Sequence, residues 1–124
     1  MIRGVRGATT VTANSEEAII AATEELFAKL IEVNQIQPDF VASVLVSTTE
    51  DVDAAFPAKA LRKFQGWTYV PVMCMREMPV PNSLKMCVRV MMHVNTSVPQ
   101  EKIVHVYLND AQVLRPDLNN SVAL

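Results

Sequence analysis

Glycine is scarce in this chain, with three residues in 124. Gly4, Gly7 and Gly66 are too dispersed to form a glycine-rich loop that cradles phosphate. Cysteine is scarcer still. Cys74 and Cys87 form no CxxC pair, which argues against a redox motif and a disulfide framework. Two free, inert thiols in a reducing cytoplasm are expected instead. The motifs HExxH and GxSxG are absent. Cys74, Cys87, His93 and His105 lack metal-ligand spacing, so no metal is expected and each histidine reads as a strand-surface residue. No apolar run approaches the ~20 residues of a membrane span. The N-terminus MIRGVRGATTV also lacks the continuous apolar stretch of a signal peptide.

Half the residues are hydrophobic, enough for a real core, and the length fits one domain over 1–124. The net charge of −2 argues against nucleic acid as a partner. That charge is unevenly spread. Residues 1–55 hold nine acids and three bases, whereas residues 56–124 hold four acids and eight bases. An anion site should therefore draw mainly on the second part.

Hydrophobic periodicity gives the order β-α-β-α-β-β-β. Residues 2–12 are rich in β-branched side chains and read as a strand. Asn14 reads as an N-cap with Glu17 as its capping-box partner. Ile19, Ala22, Leu26, Leu30 and Val33 form one stripe, which predicts a helix over 15–34. VASVLVST (41–48) predicts a second strand. PAKALRKFQ predicts a short helix, with Pro57 at its start and Gly66 at its stop. WTYVPVMCM (67–75) predicts a third strand, at an edge or bulged because of Pro71. KMCVRVMMHV predicts a fourth, and IVHVYLNDAQVL (103–114) a final strand or hairpin arm. The tail from about 117 is polar and expected to be flexible. A single mixed sheet with helices on one face follows, an α+β fold. The other face is left open for oligomer contact.

Within CVRVMMHV one residue does not fit. Alternation puts Val88, Val90, Met92 and Val94 on one face, and Cys87, Arg89, Met91 and His93 on the other. Arg89 is always charged, and the nearest acids in sequence are Glu77 and Glu101. The ordinary explanation is that such an arginine reaches an edge or pairs with a distant acid. The alternative is that its counter-charge is a ligand. Arg6 in the first strand and Tyr107 in the last add polar groups. A site rich in arginine and without a nucleophile suits a small polyanion held by guanidinium forks.

IRGVRGATTV, FPAKALR, GWTYVPVMCMREM, CVRVMMHV and VPQEKIVHVYLNDAQVLRPDL resemble the monofunctional AroH-type chorismate mutases, in register from residue 2 to residue 118. The resemblance implies a homotrimer built as a pseudo-α/β barrel, with active sites between adjacent subunits. It implies the Claisen rearrangement of chorismate to prephenate, toward phenylalanine and tyrosine, with no cofactor and no metal. By the same resemblance Arg6 and Tyr107 would bind substrate carboxylate, Glu77 would accept from the ring hydroxyl, and Arg89 would donate to the ether oxygen. Phe56, Ala58 and Lys59 would line the pocket and Arg62 its rim. Val72, Met73 and Cys74 would form a wall, and Leu114 and Arg115 a lid.

Two positions depart from that pattern. Met73 stands where threonine is expected, and Arg76 where glutamine is common, placed to compete for Glu77. The expected partner of Arg89 is also Glu77, bridged through the substrate. Two other readings remain: a trimeric imine/enamine deaminase of similar fold, whose water-activating signature is not recognised here, and a non-catalytic trimer that binds small molecules.

Overall fold

The computed structural model describes residues 1–117. The expected flexible tail lies, past Asp117, outside the described residues. Five strands form one sheet: β1 (Ile2–Thr10), β2 (Val41–Thr48), β3 (Val72–Arg76), β4 (Cys87–Asn95) and β5 (Val106–Tyr107). Their spatial order is β3-β2-β4-β1-β5. β4 runs antiparallel to both β1 and β2, while β1–β5 and β2–β3 are parallel pairs. The sheet is therefore mixed, and the fold α+β as expected.

One helix, α1 (Glu16–Asn34), packs on the sheet. Ile19, Leu26, Phe27 and Leu30 are fully buried against Val5, Val44, Val46, Val88, Val90 and Met92. These sheet residues alternate in sequence, so a single face receives the helix. Gly7 fixes how closely it approaches. A Cβ there would stand 2.8 Å from Leu30 Cδ1 and 3.0 Å from Leu26 Cδ1. Ser15, rather than Asn14, caps the helix and accepts from the Ala18 amide. Asn14 is taken up elsewhere: its side chain donates to Asp53 and accepts the Asp53 and Ala54 amides. A tertiary bridge to the loop after β2 has displaced the local capping box.

Three other expectations shift. Residues Pro57–Lys63 form a 3-10 helix, not an α-helix, with Gly66 at φ +87 beyond it. The third strand begins only at Val72; the stretch before it turns back, burying Trp67 in the core. Pro71 has no amide to give a ladder, and β3 is indeed an edge. The last strand shrinks to Val106–Tyr107, and Asn109–Leu114 form a 3-10 helix. This final segment covers one end of the otherwise open face. There Ala8, Cys87, Tyr107 and Ala111 make a small second cluster, with Leu84 and Leu114 packed against it.

Candidate functional site

The open face carries the unusual charges, and strand register arranges them. Ser47 of β2 and Ala8 of β1 both pair with Arg89 of β4. Met75 of β3 pairs with Ser47, and Tyr107 of β5 with Ala8. One transverse row thus reads Met75, Ser47, Arg89, Ala8, Tyr107. The adjacent row reads Met73, Leu45, Met91, Arg6. A cleft of about 270 Å³ sits over these rows, lined by Arg6, Ser47, Met75, Glu77, Arg89 and Tyr107 among others. Alternation along each strand puts these side chains on the face away from α1.

Glu77 follows β3 directly, and its amide donates to the Thr48 carbonyl. That bond swings its carboxylate over Ser47 and Arg89. Ser47 Oγ donates to Glu77 Oε2 at 2.8 Å, and Arg89 Nη1 lies 3.3 Å from the same oxygen. The Met78 amide donates to the other carboxylate oxygen. Partial burial pushes this carboxyl up, but the Ser47 hydroxyl and the Arg89 guanidinium outweigh it and hold its pKa below the usual value. The pairing of Arg89 with Glu77 is direct and needs no substrate to bridge it, which corrects the expectation. The acid comes from twelve residues upstream, brought in by the β2–β3 and β2–β4 pairings. The Arg89 side chain is still 46% exposed, so this pairing leaves part of its guanidinium accessible to a ligand or water.

The nearest thiol is no nucleophile. Cys87 is buried beside this cluster, and desolvation raises its pKa to about 11. Leu114 lies on a neighbouring recess of about 210 Å³ together with Glu77, Cys87 and Arg89. Arg115 does not line the cleft; its Nε and Nη2 form a fork to Asp117 at 3.1 and 2.9 Å.

The remaining expected residues gather elsewhere. Phe56, Lys59 and Cys74 line a separate recess of about 480 Å³, along with Met75 and Arg76. Lys59 pairs there with Glu16 at 3.7 Å. Cys74 and Val72 face the core while Met73 faces outward, 63% exposed. The expected wall of Val72, Met73 and Cys74 is therefore split between the two faces of β3. Ala58 and Arg62 lie on the 57–63 helix, outside the lining of either recess. Arg76 does not compete for Glu77. Alternation turns it to the other side of β3, where it meets Glu50 at 4.0 Å.

Sequence reasoning missed Ser47 and Asp51, and it read His105 only as a strand-surface residue, whereas its Nδ1 accepts the Arg6 amide. Ser47 was legible from VASVLVST, where Ser43, Leu45 and Ser47 alternate with buried valines. Asp51 accepts the Met86 amide through both carboxylate oxygens and the Thr49 hydroxyl through one. It secures the left-handed Met86 (φ 54) just before β4. No local pattern announces that contact.

The sequence pattern described as chorismate mutase type I matches residues 2–118. The chain belongs to this family. Among its relatives, chorismate mutase AroH of Bacillus subtilis (strain 168) is 56% identical over 119 residues, covering 96% of this chain and 94% of that protein. Chorismate mutase AroH of Thermus thermophilus is 47% identical over 122 residues, covering 98% and 99%. Among solved structures, the chorismate mutase from Clostridium thermocellum superposes with a TM-score of 0.86 at 48% identity, covering 90% of this chain and 98% of that one. Like that chorismate mutase, this chain carries the mixed sheet with its helices. None of its helices among the described residues is long and apolar enough to cross a membrane.

Proposed function

We propose that the chain is a chorismate mutase domain that converts chorismate to prephenate. The observation that carries this reading is the Arg89–Glu77–Ser47 cluster, set in one cleft with Arg6 and Tyr107. Glu77, held below its usual pKa, is a weak general base, and the neighbouring thiol at about 11 is a weak nucleophile. A cleft of this kind suits a reaction in which no proton moves and no covalent intermediate forms. That disfavours a deaminase, which must activate water.

A Claisen rearrangement has this character. As the C–O bond breaks and the C–C bond forms, negative charge gathers on the ether oxygen and positive charge on the ring. Arg89 and Glu77 form a fixed dipole 3.3 Å apart. With Arg89 toward the ether oxygen and Glu77 toward the ring and its hydroxyl, that dipole complements the charge separation as it develops. It stabilises the transition state more than the ground state, which is what lowers a barrier. Arg6 and Tyr107 grip carboxylate and favour the compact conformer in which the carbon ends meet.

Phe56, Lys59 and Cys74 lie on the opposite side of β3 from this cleft. Their separation supports a homotrimer in which one subunit offers the Arg89 cleft and its neighbour the Phe56 recess to the same substrate. Ala58, Arg62 and Val72 belong to that second half, Met73 stays on the Arg89 side of β3, and Leu114 and Arg115 close over the first. Exposed Met73 and Met75 at the sheet edge support burial by a neighbour. The two unpaired cysteines support a cytoplasmic setting.

Loss of chorismate ultraviolet absorbance on addition of the purified protein tests the activity. Arg89→Ala should lower kcat by at least about a hundredfold, as removal of an oxyanion-stabilising donor does. Arg89→Lys, a point charge without the fork, should recover only part of it. Near-normal kcat in both variants would refute the role of Arg89.

A further inference from the structure

Arg6 points its side chain into the cleft, but its backbone faces the edge of the sheet. There the Arg6 N–H donates to Nδ1 of His105 at 3.0 Å. Parallel pairing of β1 with β5 covers only Gly7 with Val106 and Ala8 with Tyr107. One step before that ladder begins, the imidazole stands where a strand carbonyl would otherwise accept. A backbone amide can only donate, so Nδ1 must hold its lone pair and the ring proton must sit on Nε2. His93 is not constrained in this way, since its partner at 3.0 Å is the Ser43 hydroxyl, which can donate or accept.

We infer that His105 is a positioning residue for Arg6, its neutral Nδ1 fixing the backbone from which the carboxylate-binding guanidinium projects. This rests on reading the cleft as a chorismate site. The environment keeps the ring neutral. Burial, then Arg6 from β1 and Arg115 beyond the last 3-10 helix, hold the imidazole below its ordinary 6.5. On the side of α1 the neighbouring group is Asn34, a non-titrating amide that bonds both the amide and the carbonyl of Val104. Protonation of Nδ1 would remove the acceptor and set a third cation beside two arginines. Arg6 would then lose its backbone anchor.

The inference separates from a merely structural role by variant and by pH. His105→Ala should raise KM for chorismate about two- to tenfold, the worth of one net hydrogen bond, with little change in kcat. His105→Asn carries an Oδ1 that can accept the same N–H, and its KM should stay near the parent value. In the parent protein KM should rise as pH falls through the depressed imidazole value, and His105→Asn should lack that rise. In ¹⁵N-resolved NMR of the parent protein without substrate, the Arg6 amide shift should follow protonation of His105. An unchanged KM in folded His105→Ala, an acid rise that persists in His105→Asn, or an Arg6 amide that does not titrate would each overturn the inference. Should His105→Ala fail to fold, the asparagine variant and the amide titration decide. If the parent protein leaves chorismate untouched, the functional reading falls, and the amide titration still decides the His105 contact.

Discussion

Three charged side chains line the cleft, and each is held by identifiable neighbours. Ser47 and Arg89 keep Glu77 ionised, Glu77 aims Arg89, and His105 holds the backbone of Arg6. The Arg89–Glu77 pair contributes little to stability, because both groups are partly exposed and such pairs are worth about 0–1 kcal/mol. Its value lies in orientation. Cys87 is the opposite case, a group whose environment silences it. Its pKa is raised from 9.0 to about 11, so the folded chain holds the thiol proton that the unfolded chain releases. The associated stability is fully present below 9.0 and is lost as pH rises toward 11. Urea midpoints should therefore fall across that window, and the fall should be smaller in Cys87→Ala. A thiol reagent should label Cys87 only after unfolding; rapid labelling of Cys87 in the native protein would contradict this account.

At the scale of elements, α1, β2 and β4 were legible from the sequence because each obeys one period over most of its length. The helical stripe and the alternation of CVRVMMHV reported burial without any knowledge of partners. β3 and β5 were overextended for a physical reason. WTYV and IVHV have strand-forming residues, but Trp67 is buried by a turn, and β5 ends where Asn109, at φ 54, turns the chain into a 3-10 helix although β1 runs on to Thr10. The candidate site was legible in its residue types, while the roles assigned to them came from family resemblance alone. The contacts that tune it were not. Glu77 with Arg89, Arg6 with His105, and Asp51 with Met86 all join residues distant in sequence, and no period encodes them. Gly7 gives the element scale its own test. Gly7→Ala would push a methyl against Leu30, Leu26 and the Val106 carbonyl, three groups within 3.2 Å of the added carbon. Such overpacking should cost about 1–3 kcal/mol in urea unfolding. An unchanged midpoint would mean that α1 can retreat from β1 freely.

For the whole molecule, the division of candidate residues between two sides of β3 makes a prediction that a self-contained site does not. Sedimentation should give about three times the 13.7 kDa chain mass. Lys59→Ala and Arg89→Ala, each impaired alone, should partly complement when unfolded together and refolded as mixed trimers. Random mixing leaves about a quarter of the interfaces with both halves intact. A mixture no more active than the better variant would place both residues in one subunit's site.

The transverse row across the sheet also works as a ruler. Arg89 and Tyr107 sit two strands apart with only Ala8 between them. At ordinary strand spacing of about 4.8 Å, their backbones are separated by roughly 10 Å. Hydrogen bonds set that interval between the two backbones, and the rotamers of Arg89 and Tyr107 set where their tips stand above it. If Arg89 and Tyr107 both hold the substrate as proposed, the ladder sets the base from which they reach it. An analogue with its carboxylate moved outward by one carbon would meet the same two posts at the wrong span, however well its charges matched.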